Sequence, residues 1–259
     1  MKNSDGLKID VRRKKILEML HKFGQVRVSS LSDSLGVSEV TIRNDLSALE
    51  NDGFLQRIQG GAIQTIKDFY HYDSLMRKLD RSEAKKKIAG AATGLINDGE
   101  TLLINSGTTT LMTAIELASQ KKNLNIVTNS IPVAMEFGIH PSFRVILLGG
   151  EINSQYTFTY GKDAQDQLRR YKADKTILSI DGICPHNGLT TYHAEEAAID
   201  YLMMERSRET IIVADRSKFQ HESFSYISDI QQVHYWVTDS ALDQDDLLEM
   251  QGFGVKIIT

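Results

Sequence analysis

The chain has 259 residues, 41% of them hydrophobic and 25% charged, with a formal net charge of −4. This globular composition excludes a disordered chain and a protein that coats nucleic acid by bulk charge, and the length suits two domains. The single cysteine, Cys184, excludes an internal disulfide and a cysteine-based zinc cluster and reads as a small buried residue.

No apolar run approaches the roughly 18 residues of a membrane span, and the start MKNSDGLKID lacks the apolar stretch of a secretory signal, so a cytoplasmic chain with no membrane partner is expected. The first element is a helix, because Val11, Ile16, Leu17, Leu20 and Phe23 recur at helical spacing. It opens on Arg12, Arg13, Lys14 and Lys15, whose charges oppose the helix dipole and leave DNA phosphate or plain solvent as their counterpart. After Gly24, QVRV reads as a short strand, and SSLSDSLG as a short helix that carries Leu31 and Leu35 and ends on Gly36 as its C-cap. Ser38 is placed to cap a third helix, in which Ile42, Leu46 and Leu49 share the packed face while Thr41, Asn44 and Asp45 point elsewhere.

Two helices joined by a tight glycine turn form a helix-turn-helix. In that motif the start of the second helix enters the major groove of double-stranded DNA, which makes Ser38, Glu39, Thr41, Arg43 and Asn44 the candidate reading residues. FLQRIQGGAIQT predicts a β-hairpin about Gly60 and Gly61, a wing with Arg57 placed for phosphate or minor groove. Over residues 1–66, the expected extent of this head, ten Lys or Arg stand against eight Asp or Glu, a local excess that permits DNA binding.

Residues 67–82 mix aromatics with charges without periodicity and are expected to form a linker. Lys85, Lys86 and Lys87 open the next helix and read as a solvated face. Over residues 83–259 helical stretches alternate with the apolar strands TLLIN, LNIVT, FRVILL, KTILSI, ETIIVA, HYWVT and VKIIT, which predicts an α/β domain on a parallel or mixed sheet. Ligands of such sheets bind past the C-terminal strand ends. Past the first strand stand Asn105, Ser106, Gly107, Thr108 and Thr109, small residues directly before a helix start, as a phosphate cradle requires. A P-loop nucleotide site is excluded by the missing Gly-Lys-Ser or Gly-Lys-Thr element. The following strands end at Asn129, at Gly149 and Gly150, at Asp181 and at residues 215–218. Lys218 is the candidate cation for a phosphate, and Asn105, Asn129 and Asp181 are candidates for sugar hydroxyls.

Asp181, Glu195 and Glu196 are the carboxylates an enzyme would use, yet acidic residues in a first helical turn complement the dipole, and no catalytic residue is assigned. His186 and His193 lack the spacing of a helix-borne metal site, so neither a metal nor a cofactor is expected, and both read as loop residues or ligand contacts.

The stretch VSEVTIRNDLSALENDGFLQRIQGGA resembles the signature of the DeoR family of bacterial regulators. NSGTTT, VTNS, LLGGE, the Gly-Leu-Thr of HNGLTT and ADRSKF resemble that family's effector domain. The resemblance implies a winged helix-turn-helix followed by an α/β effector domain similar to ribose-5-phosphate isomerase and coenzyme A transferases. It implies a phosphorylated sugar or polyol bound at Ser106 to Thr109 with help from Lys218, and repression of a carbohydrate-utilisation operon that the ligand relieves. Self-association as a homodimer or homotetramer on a palindromic operator is expected with it. The chain departs from the family pattern twice: Asn44 stands where a second arginine usually precedes Asp-Leu, and Asn105 where Asp usually precedes Ser-Gly-Thr-Thr.

Overall fold

The computed structural model describes residues 9–51, 54–63 and 82–259, in two compact units that divide after Ser82. The linker expected over residues 67–82 lies outside the described residues except for Ser82, which opens a helix.

The N-terminal unit runs α1 (Ile9–Phe23), β1 (Gln25–Arg27), α2 (Val28–Leu35), α3 (Glu39–Asn51), β2 (Gln56–Ile58) and β3 (Gly61–Ile63). Its three strands form an antiparallel sheet in the order β1-β3-β2. Helix α2 ends at Gly36, whose φ of 66° sends its N–H back to the Ser32 carbonyl, a left-handed cap that glycine adopts without steric cost. Ser38 Oγ accepts from Thr41 N at 3.2 Å and starts α3. Ile16, Leu20, Leu31, Ile42, Leu46 and Leu49 are buried in one core. The wing turns at Gly60 and Gly61, and a Cβ on Gly61 would stand 2.0 Å from the Val26 carbonyl oxygen, so β3 can approach β1 this closely only without a side chain.

Asp45 is a correction to the sequence reading. It does not point away from the core but is 2% exposed, on the buried side of α3. Its carboxylate accepts from Arg12 Nε at 2.5 Å and from Arg13 Nε at 3.2 Å. The counterpart of these two basic residues at the start of α1 is therefore neither phosphate nor solvent but a carboxylate of the same unit. The hydrogen bond to Asp45, working against burial, pushes the Arg12 guanidinium above its ordinary value.

The C-terminal unit contains α4 (Ser82–Thr93), β4 (Thr101–Ile104), α5 (Thr108–Gln120), β5 (Asn125–Thr128), α6 (Ile131–Gly138), β6 (Arg144–Leu147), β7 (Glu151–Asn153), β8 (Phe158–Tyr160) and α7 (Lys162–Leu168). These are followed by β9 (Ala173–Leu178), β10 (Gly182–Cys184), β11 (Gly188–Thr191), α8 (Ala194–Glu205), β12 (Ser207–Val213), β13 (Ser225–Ser228), β14 (Tyr235–Val237), α9 (Gln244–Gly252) and β15 (Lys256–Ile258). Among the described residues, the seven strands expected from the sequence form one sheet in the order β15-β14-β12-β9-β4-β5-β6. Every pairing in it is parallel. Successive residues face opposite layers: Leu103, Val127, Leu178 and Ile212 pack into one core cluster, and Leu102, Ile104, Ile126 and Ile211 into the other. A sheet covered on both faces has this pattern, and it reads in sequence as uninterrupted apolar runs.

The hairpin β7-β8 and the antiparallel sheet β10-β11-β13 were not expected from the sequence. Cys184 ends β10 half-buried rather than buried. Among the described residues, no helix is long and apolar enough to cross a membrane.

Asp45→Ala removes the carboxylate that Arg12 and Arg13 share on the buried side of α3, and breaking such a pair costs about 3 kcal/mol. The expected outcome is an early melting step, visible in far-UV circular dichroism, that the single tryptophan, Trp236 in the other unit, does not report. Coincident transitions at the wild-type temperature would contradict this account.

Candidate functional site

Two surfaces present polar groups that the fold does not use for packing. The first is the start of α3. Ser38, Arg43 and Asn44 are exposed there and Glu39 and Thr41 half-exposed, while Ile42 and Leu46 hold the helix from behind. Arg43 pairs with Glu39 at 2.5 Å, one helical turn away and with both side chains in solvent, where such a pair is weak and readily exchanged. Ser38 Oγ and Thr41 Oγ1 lie 2.9 Å apart. Arg57 stands on the wing, with its guanidinium donating to Ser47 Oγ at 2.8 Å and its backbone N–H to Glu50 at 2.8 Å, so the wing is tied to α3 itself.

The second surface arises from strand order. From β4, the chain adds β5 and β6 on one side, then returns to place β9, β12, β14 and β15 on the other. The reversal opens a crevice past the ends of β4 and β9, the place where parallel sheets bind ligands. Gly107 lies at its floor: a Cβ there would sit 2.6 Å from Ser179 Cβ, so only glycine lets the loop after β4 rest on the loop after β9. Helix α5 then begins at Thr108 with no side-chain cap. The hydroxyls of Thr110 and Thr113 turn back to the carbonyls of Gly107 and Thr109, which leaves the first-turn N–H groups uncapped by them. Ser106 is buried, with its hydroxyl 3.4 Å from the Tyr156 carbonyl.

Along the same rim, Lys218 Nζ lies 3.3 Å from Asp181 Oδ1. Asp181 Oδ2 accepts from Tyr192 N at 3.1 Å, and the Thr191 hydroxyl lies 3.1 Å from Glu196 Oε2. The structure thus places Ser106 and Gly107 directly before Thr108 and Thr109 in the first turn of α5, with Gly107 against Ser179, and pairs Asp181, two residues after Ser179, with Lys218.

Other residues from the sequence reading are committed elsewhere. Asn105 is fully buried, and its amide is engaged by Ser179 and Asp200, so it contacts protein rather than a sugar hydroxyl. Asn129 is fully buried and donates to the Thr159 carbonyl at 3.2 Å, although its Oδ1 has no hydrogen-bond partner. The Gly149 N–H donates to Gln167 at 3.0 Å. At Gly150, which has a φ of 146°, a Cβ would meet the Tyr160 carbonyl oxygen at 2.4 Å. Both glycines therefore serve the packing of β7-β8 and α7.

Beside this rim stand two residues that the sequence reading did not single out, Tyr156 and Asp200, and one, His193, that it read as a loop or ligand-contact residue. Tyr156, on the β7-β8 turn, stacks edge-on against His193 at 4.5 Å. His193 precedes α8, and its Nε2 is buried without a hydrogen-bond partner; its place beside the Gly-Leu-Thr stretch was the signal available. Asp200, on α8, gave no signal. Burial first, and then the charge of Glu196, push its carboxyl well above the ordinary carboxylate range, against the hydrogen bond from Asn105 and with Asp181 adding to the rise. His186 sits apart from this rim, 2.9 Å from Glu249. Among the described residues, no three or more His, Cys, Asp or Glu side chains are grouped to hold a metal.

Comparison with known proteins covers both units. A model of the DeoR-like helix-turn-helix domain matches residues 12–66, and one of the DeoR C terminal sensor domain matches residues 80–240. An uncharacterized HTH-type transcriptional regulator, YulB of Bacillus subtilis (strain 168), is 34% identical over 248 residues, with 95% of each chain covered. A putative aga operon transcriptional repressor of Escherichia coli O157:H7 is 31% identical over 95% of this chain and 92% of its own. The lactose phosphotransferase system repressor of Lactococcus lactis subsp. lactis is 30% identical over 93% of this chain and 95% of its own. Among solved structures, ribose 5-phosphate isomerase A from Methanocaldococcus jannaschii overlaps 53% of this chain and 54% of its own at 15% identity and a TM-score of 0.40. With both domain models matched in order and full-length relatives above 30% identity, this chain belongs to the DeoR family of helix-turn-helix transcriptional regulators.

Proposed function

We propose that this regulator is a repressor of a carbohydrate-utilisation operon, whose grip on operator DNA is released by a phosphorylated sugar or polyol bound at the β4-β9 crevice. The observation that carries this reading is the uncapped start of α5 resting on Ser179 through Gly107, because free helix N–H groups favour a phosphate and the missing Cβ lets the backbone approach it. In this reading Ser106, Gly107, Thr108 and Thr109 hold the phosphate, Lys218 exchanges Asp181 for it, and Asp181 then turns to a ligand hydroxyl. The names of two relatives, the aga operon and lactose phosphotransferase repressors, support the carbohydrate setting.

On DNA, Ser38, Glu39, Thr41, Arg43 and Asn44 read base edges and Arg57 meets the backbone at the wing. Asn44, where the family pattern has arginine, favours adenine over guanine. Two heads on two half-sites require self-association, as a homodimer or homotetramer. The C-terminal unit offers a surface for it: Tyr201 and Tyr226 are exposed on a groove of about 420 Å³ lined also by Ala194 and Ala197, with Phe224 84% exposed beside it. Exposed aromatics of this kind are typical interface anchors.

Fluorescence anisotropy of a duplex from upstream of the protein's own gene, titrated first with protein and then with a panel of sugar phosphates, tests the whole reading. One phosphorylated compound is expected to release the DNA while its unphosphorylated form does not; release by both, or by neither, would remove the phosphate cradle. Arg43→Ala is expected to weaken operator binding by about tenfold, one lost bidentate contact, with circular dichroism unchanged. Lys218→Ala should abolish release while DNA affinity stays at the wild-type value; an unchanged response would take Lys218 out of the site. Phe224→Ser with Tyr226→Ser is expected to lower the sedimentation coefficient towards that of a monomer, and an unaltered coefficient would move the interface elsewhere.

A further inference from the structure

Asn105 sits directly after β4 at the crevice and is fully buried. Its side-chain oxygen accepts from Ser179 N at 2.9 Å, and its amide nitrogen donates to the Ser179 carbonyl at 2.9 Å and to Asp200 Oδ1 at 3.0 Å. An amide has two N–H groups, and both are used. This side chain therefore replaces one rung of the ladder where β4 and β9 diverge, and ties that rung to α8. Gly107, two residues on, packs against the same Ser179, so the loop that starts α5 hangs directly from it.

We propose that Asn105 and Asp200 form an uncharged latch that positions the phosphate-binding loop, with Asp200 acting through Asn105 and not touching the ligand. The proposal rests on the phosphate site described above and adds a residue that neither unit's motifs contain. The chemistry requires this pairing. Asp200 is fully buried, and its Oδ2 has no hydrogen-bond partner. The charged groups around it are Glu196 on its own helix and Asp181 on the loop after β9, itself paired with Lys218. A carboxylate in that company and without solvent is costly, so Asp200 holds a proton, and its Oδ1 stays available to the Asn105 amide. An aspartate at 105 would lose both donated bonds and set a second carboxyl against the first.

The latch ties stability to pH in one direction. The folded chain holds the Asp200 proton more tightly than the unfolded chain. Stability from this group is thus complete below the ordinary carboxylate range and is lost as pH rises from it towards the raised folded value. Asp200→Asn keeps the shape and the acceptor without the proton.

The test uses the full chain as wild type, Asn105→Asp, Asp200→Asn and the double variant. Melting is followed by Trp236 fluorescence across pH, with and without inorganic phosphate. Asn105→Asp is expected to melt lower and to require on the order of tenfold more phosphate for the wild-type rise in midpoint. Asp200→Asn should keep the phosphate response and lose the part of the decline in midpoint that the wild type shows as pH rises. The double variant should recover part of both properties relative to Asn105→Asp, because an amide again faces an acid while the bond to the Ser179 carbonyl is not restored. Should Asn105→Asp fail to fold, rescue by the second substitution and the pH profile of Asp200→Asn carry the decision. A wild-type phosphate response in folded Asn105→Asp, no rescue in the double variant, or an unchanged pH profile in Asp200→Asn would each overturn the latch. A wild type that does not respond to phosphate would instead overturn the phosphate site, and the additive or non-additive midpoints of the four chains would still decide whether the two residues are coupled.

Discussion

A strand buried on both faces and paired along both edges can present polar groups to a ligand only beyond its end, and β4 is such a strand. Its neighbours β5 and β9 were added in opposite directions, so their connections part at its tip and open the crevice. The crevice exists because parallel strands need long crossovers of one handedness, and the first strand laid down ends in the middle. The segment past that tip, Asn105 through Thr109, is therefore forced together with the segment past β9, Ser179 through Asp181. Gly107 is the point of closest approach, and the fully committed Asn105 amide is the fastening.

The parts of this architecture that were legible in sequence are those whose burial is uniform. TLLI, NIVT and TIIV lie between two covered faces and read as strands because their polar residues stand only at the ends of the apolar runs. The helix-turn-helix was legible for a different reason: Gly36 and Ser38 are local signals that act through their own backbone. The hairpin β7-β8 carries neither signal. Its strands are three residues each, EIN and FTY, and they exist because Thr159 bonds the backbone of Asn129, a contact 30 residues away.

Asp45 and Asn105 were misread for one shared reason. Each is polar and stands where polar groups usually face solvent or ligand, and each is buried by partners remote in sequence. Arg12 lies 33 residues before Asp45, and Asp200 lies 95 residues after Asn105. Apolar periodicity marks the dry face of a helix, but it does not reveal a charge neutralised within that face. A similar arrangement recurs under the main sheet, where Lys175 meets Glu100 at 2.6 Å. Burial pushes the Glu100 carboxyl up, and the hydrogen bonds from Lys175 and Asn97 outweigh it and hold the carboxyl below its ordinary value.

The tie between wing and reading helix has an evolutionary corollary. Arg57 belongs to the wing, yet its guanidinium rests on Ser47 and its backbone on Glu50, both on the same helix as Arg43 and Asn44. In the proposed reading the two elements form one template for DNA, and a lineage drifting towards a new operator would not revise them separately. A substitution at Ser47 or Glu50 would loosen the wing from α3 without altering any of the proposed base-reading side chains, so on this reading paralogues descended from such a gene would diverge in target by compensating exchanges behind the reading surface as well as on it.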